Sequence, residues 1–344
     1  MNPTNTTLTP EPSPYREHLN NFKALAGKYG LAMIILVLNT YIMPYVFVYI
    51  TLFLSEVTGI PFLNPESGIY YYTVMVLNEL SAYLMPVILL YALFKRERKE
   101  FIPDRDYKPI PGEALIMFLA GMAAGALGNI ITSFINSIVD SIFGTGEIPD
   151  AFEQMKPLNG SELIVFGFCI CVIAPIVEEL IFRDFLLKPL RAYGDMTASI
   201  VTGLIFGLYH GNFDQFAYAF LLGTFYSMIA VRYNSIVPTV ILHAVNNFLV
   251  ILSTYLPDAF SNSEDKIRTL TENISIFAAV GVTLMMYMGF AALIFIIIAI
   301  AKKQIVLHNH NRFVPEPHAL LDFTMTPFTI LGFIAMLASF FVKF

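Results

Sequence analysis

Long apolar runs separated by short polar stretches set the pattern of this chain. Nine runs reach or approach the roughly 20 apolar residues that a helix needs to cross a bilayer core. They centre on residues 31–54, 70–94, 114–143, 161–187, 196–212, 214–231, 235–256, 274–301 and 324–341. Each is expected as a helix, which makes the fold all-α: a polytopic membrane protein with about eight or nine transmembrane helices. The fifth and sixth runs are short and only "GNFD" stands between them, so a tight turn must join them. The ninth is blunted at its start by Thr324, Thr326 and Pro327.

Composition agrees with this pattern. The chain is 56% hydrophobic and 13% charged, with a mean hydropathy of +0.66, whereas soluble domains carry about 25% charged residues. Charge position says more than the net charge of −6. With the N-terminus inside, the segments outside the spans place fifteen Lys and Arg on the inner side, among them Lys95, Arg96, Arg98 and Lys99. The outer side holds four: Lys156, Lys266, Arg268 and Lys343. This asymmetry favours nine spans, a cytoplasmic N-terminus and a cell-membrane location. Membrane lipid is the expected surround, and nucleic acid is not an expected partner.

The first stretch, "MNPTNTTLTPEPSPY", is polar and rich in Pro and Thr, and reads as a disordered tail without a cleavable signal. Residues 16–29 are expected as a short helix on the membrane surface. The chain thus divides into a cytoplasmic tail and surface helix (1–30), N-terminal membrane helices (31–160), a core (161–256) and C-terminal membrane helices (257–344). Cys169 and Cys171 sit two apart in an apolar run. That spacing suits neither a disulfide within one helix nor a zinc site, so both read as buried apolar side chains. Gly121, Gly125 and Gly128 form a small-residue stripe on the third span, which lets helices approach closely in lipid.

Ionisable side chains within a membrane usually face a cavity or a partner, and the core holds most of them. The fourth span carries Glu178, Glu179 and Arg183; the fifth carries Phe206 and His210; the seventh carries His243, Asn246 and Asn247. Glu179 and Arg183 are four apart, lie on one helical face and are expected to pair as a structural brace. Glu178 is rotated by about 100° from Glu179, so it is left free to face a cavity. His243 and Asn247 share a face, as do Phe206 and His210. At 1.5 Å per residue, Glu178, His210, His243 and Asn247 come out roughly 12–21 Å from the inner side. One intramembrane catalytic cavity, with Phe206 and Asn246 in its lining, can collect them from three helices. Asn246 would replace Asn247 only if the helix were rotated by about 100°.

A carboxylate, two imidazoles and an amide at one depth suit hydrolysis. Glu178 would act as general base on a water that His210 helps to hold. His243 and Asn247 would donate to the oxyanion formed when water attacks a peptide carbonyl. No Ser or Cys nucleophile stands beside a suitable His, and no pair of aspartates faces across the core.

These motifs carry a resemblance. "EELIFR" resembles the E-E-x-x-x-R motif of the type II CAAX prenyl endopeptidase family, which includes bacteriocin-processing and self-immunity membrane proteins; "FGLYH" is similar to its F-x-x-x-H motif and "HAVNN" to its H-x-x-x-N motif. All three stand in the family's order on separate apolar helices, within about residues 161–256. The resemblance implies a glutamate-dependent intramembrane endopeptidase. In that family the first Glu and first His activate water, and the last His and Asn form the oxyanion hole. Those roles fall on Glu178, His210, His243 and Asn247. The expected substrate is a membrane-associated peptide or protein, lipidated or of leader type.

Two other readings stand beside this one. No cofactor is expected, yet a zinc-dependent version would place the metal on Glu178, His210 and His243 with water as fourth ligand. A non-catalytic immunity or scaffold protein would use the same pocket for binding. Asn78, Glu79 and Asp140 are further polar residues in apolar runs, read as packing or near-end residues. His308, His310 and His318 read as part of a solvated basic loop.

Overall fold

The computed structural model describes residues 14–97, 112–143, 156–301 and 319–340. Among the described residues every regular element is a helix. In chain order these are α1 (Pro14–Thr58), α2 (Tyr70–Phe94), α3 (Glu113–Phe143), α4 (Gly160–Tyr193) and α5 (Asp195–Tyr209). They continue with α6 (Phe213–Tyr233), α7 (Val237–Ala259), α8 (Asp265–Ala301), α9 (Ala319–Thr324) and α10 (Pro327–Ser339). Seven helices are long and apolar enough to cross a membrane. The runs expected fifth and ninth are the exceptions. α5 has 15 residues and α10 has 13, or about 22 and 20 Å, short of a hydrocarbon core of about 30 Å. This is a membrane protein whose described residues hold seven long apolar helices, two shorter apolar ones (α5 and α10) and the six-residue α9.

The surface helix expected at 16–29 is instead the first part of α1, which runs without a break to Thr58. Its side chains explain why: Phe22, Ala26 and Tyr29 are fully buried. Phe22 packs on Tyr193 and Phe323, and the Tyr29 hydroxyl donates to the Leu186 carbonyl. Farther along, α1 crosses α10 where Gly30 and Gly332 meet; a Cβ on Gly30 would lie 2.1 Å from the Phe328 backbone.

α4 is the centre of the molecule. Its stretch from Ile181 to Leu187 is buried at every residue, as expected of a helix enclosed on all sides. The largest buried cluster gathers around it from α1, α2, α5, α6 and α10. α6 lies between α3 and α5. The Gly121, Gly125 and Gly128 stripe of α3 meets it at Phe225, Tyr218 and Ala217. On the other side Gly203 and Gly207 of α5 leave no room for a Cβ against the Phe220 and Phe216 carbonyls. In lipid, such close backbone approach supplies the dispersion contacts that hold helices together.

Four π-helical turns interrupt these helices: Leu80–Leu84 in α2, Cys169–Ile173 and Leu180–Leu187 in α4, and Ile251–Tyr255 in α7. A π turn shifts the backbone register and occurs often at functional sites. Here two of them flank Glu178 and Glu179.

Candidate active site

Glu178 and Glu179 end the α-helical turn Ala174–Glu179, between the two π turns of α4. Glu179 is fully buried, and its Oε2 lies 3.2 Å from Nε of the equally buried Arg183. Arg183 also donates from Nη2 to the Gly223 carbonyl at 3.0 Å and lies over the Phe206 ring, 4.6 Å from its centroid. Gly223 is required there, because a Cβ would meet Phe206 at 2.6 Å. The brace therefore joins α4 to α5 and α6.

Glu179 does more than pair with Arg183. Its Oε1 lies 3.1 Å from Nδ1 of His243, a link that sequence spacing within one helix does not reveal. A carboxylate only accepts, so Nδ1 carries the proton and donates. The other ring nitrogen, Nε2, is 3.8 Å from Glu178 Oε2. His243 thus stands between two carboxylates. With Nδ1 protonated, Nε2 can donate only when the ring holds both protons.

His210 is placed by the turn that follows α5. It is the C-cap residue of α5, Gly211 turns the chain with φ 65°, and Asn212 caps α6 by accepting from the Gln215 N–H at 2.8 Å. The "GNFD" turn is built on that glycine and that cap. His210 Nδ1 is 2.8 Å from the Phe206 carbonyl. A carbonyl only accepts, so Nδ1 donates and the Nε2 lone pair is left open. Phe206 separates the imidazoles, with ring centroids 4.9 Å from His210 and 6.0 Å from His243.

Asn247 turns its amide towards α4, where Nδ2 donates to the Ile170 carbonyl at 2.8 Å. Pro175 accounts for this. In the π turn the Ala174 N–H reaches the Cys169 carbonyl; the next bond in that register would run from residue 175 to Ile170, and proline has no N–H. Asn247 fills the gap and keeps its second amide hydrogen. Asn246 accepts from the Tyr218 hydroxyl at 2.9 Å and donates to Asn247 Oδ1 at 3.3 Å.

Glu178 and His243 are thus in direct reach, His210 stands across Phe206, and Asn247 lies one turn from His243 with half its donor capacity engaged. Tyr83 went unnoticed in the sequence. Its hydroxyl donates to Glu178 Oε1 at 2.7 Å, but nothing local distinguishes it among 18 tyrosines. Glu79 has a buried Oε2 without a hydrogen-bond partner. The side chain of Asp140 lies outside the described residues, as do His308, His310 and His318. Among the described residues no three His, Cys, Asp or Glu side chains converge as metal ligands. Glu178 directs Oε1 to Tyr83 and His243 directs Nδ1 to Glu179, so Glu178 Oε2 and the Nε2 atoms of His243 and His210 are the atoms that would hold a zinc ion.

Residues 160–249 match the family described as type II CAAX prenyl endopeptidase, Rce1-like. A curated relative, the membrane-embedded CAAX protease MroQ of Staphylococcus aureus (strain USA300), is 25% identical over 149 residues. The match covers 41% of this chain and 60% of that relative, so it spans about three fifths of the relative's length. No solved structure matches.

Proposed function

From a chain whose residues 160–249 match the type II CAAX prenyl endopeptidase family, we propose an intramembrane endopeptidase that uses activated water and no covalent intermediate. The observation that carries this reading is the division of labour at Glu178 and Glu179. Arg183 takes Glu179, and Glu178 keeps Oε2 free toward His243. Water held by the open Nε2 of His210 gives a proton to Glu178 Oε2 as its oxygen adds to the peptide carbonyl carbon. The carbonyl oxygen takes the negative charge beside His243 Nε2 and the remaining Asn247 N–H. Collapse breaks the C–N bond, and the proton on Glu178 passes to the leaving amine. No step passes through zinc.

The substrate is a membrane-borne peptide or protein that carries an apolar chain. An apolar groove of about 400 Å³ supports this; it is lined by Val87, Ile88, Tyr91, Leu180 and Phe185. It begins one turn beyond Tyr83 on α2 and one residue beyond Glu179 on α4. The basic inner loops support a cell-membrane location with the start of α1 on the cytoplasmic side. The test uses purified full-length chain in nanodiscs and a fluorogenic peptide with and without a lipid thioether near its C-terminus. Cleavage of the lipidated peptide, unaffected by a chelator and lost in His243→Ala, is the expected result. A wild type that cuts neither peptide points to a non-catalytic binding protein; loss with chelator and recovery with zinc points to the metal version.

A further inference from the structure

Tyr83 lies on α2, outside the family-matched residues 160–249, and holds Glu178 Oε1 at 2.7 Å. Its position is fixed by a local backbone device. Tyr83 stands in the π turn Leu80–Leu84, and side chains from two other helices take the carbonyls just before it. Asn39 of α1 donates Nδ2 to the Ser81 carbonyl at 2.5 Å, and Tyr209 of α5 donates its hydroxyl to the Ala82 carbonyl at 3.0 Å. Both partners are remote in sequence, so the turn is held from both sides. Glu79 stands one turn earlier on α2 with its buried Oε2 lacking a hydrogen-bond partner; the phenol of Tyr83 is the α2 group that bonds Glu178.

A free carboxylate turns readily about its last bond, since that torsion is broad. With Oε1 anchored to a phenol, Glu178 must present Oε2 to His243 and the attacking water. Resting on the proposed hydrolysis, we infer that Tyr83 is a positioning residue that selects Oε2 as the oxygen that accepts the proton. The site is then incomplete in residues 160–249 alone, because α2 supplies the group that aims its base.

The test compares wild type, Tyr83→Phe and Tyr72→Phe in full-length chain in nanodiscs. Tyr72 bonds Ser161 at an exposed position and serves as the control. Two readouts separate aiming from simple packing. On the lipidated peptide, Tyr83→Phe should lower kcat by about tenfold to a hundredfold, the scale of a misaimed catalytic group, with KM within about twofold of wild type. In the infrared spectrum, the carboxylate stretch identified by its loss in Glu178→Gln should move in Tyr83→Phe and stay in place in Tyr72→Phe. Unchanged kcat, a rise in KM alone, or an unmoved Glu178 band would overturn the inference. If wild type leaves the peptide uncut, the proposed hydrolysis fails, and the infrared band still decides whether Tyr83 holds Glu178.

Discussion

Glu178 and Glu179 are adjacent and chemically identical, yet the fold gives them different work. Their separation was legible because it is local: the i,i+4 relation of Glu179 to Arg183 follows from helix geometry alone. The remaining contacts were hidden because they cross between helices. Tyr83 and Glu178 are 95 positions apart, and His243 and Glu179 are 64 apart, so no periodicity joins them. Arg183→Ala would leave Glu179 fully buried with the His243 bond but without its cationic partner, a loss of about 3–5 kcal/mol for a broken buried pair. It should lower the thermal midpoint and the yield in detergent. Glu178→Gln keeps the size and the Tyr83 contact and should melt within a few degrees of wild type. Equal loss of fold in both variants, seen by thermal melting on a size-exclusion column, would refute the division.

At the scale of elements, apolar runs located the helices, but a uniform helical period hid the π turns. A π turn has no simple sequence signature; Pro175 was the visible trace of one. It frees the Ile170 carbonyl that anchors Asn247. Pro175→Ala would restore an N–H able to reach that carbonyl in the π register. The expected result is an unchanged or higher thermal midpoint with turnover reduced by about tenfold, as Asn247 loses its anchor and the oxyanion a well-aimed donor. Turnover equal to wild type would show that the anchor does not matter. The lengths of α5 and α10 were also overdrawn. Flanking apolar residues extended the runs, whereas Gly211 and the Thr326–Pro327 start set the true ends.

At the scale of the molecule, the all-α membrane fold was legible from composition and run length. The enclosure of α4 was not, because a buried and a lipid-facing helix are equally apolar. Only the charges at Glu178, Glu179 and Arg183 hinted that this helix looks inward. The attachment of α1 to α10 was likewise hidden, since Gly30 and Gly332 lie 302 positions apart. The count of Lys and Arg predicts that a reporter fused before α1 is reached by cytoplasmic but not by external protease. Cleavage from outside intact cells would reverse the proposed orientation.

The most direct test of the account is the single-turnover rate on the lipidated peptide in nanodiscs, wild type beside Glu178→Gln. The two proteins are matched for folded fraction. The account predicts cleavage by wild type and a loss of at least about a hundredfold in the variant, the lower end for a general base. Equal rates in the two proteins would contradict it.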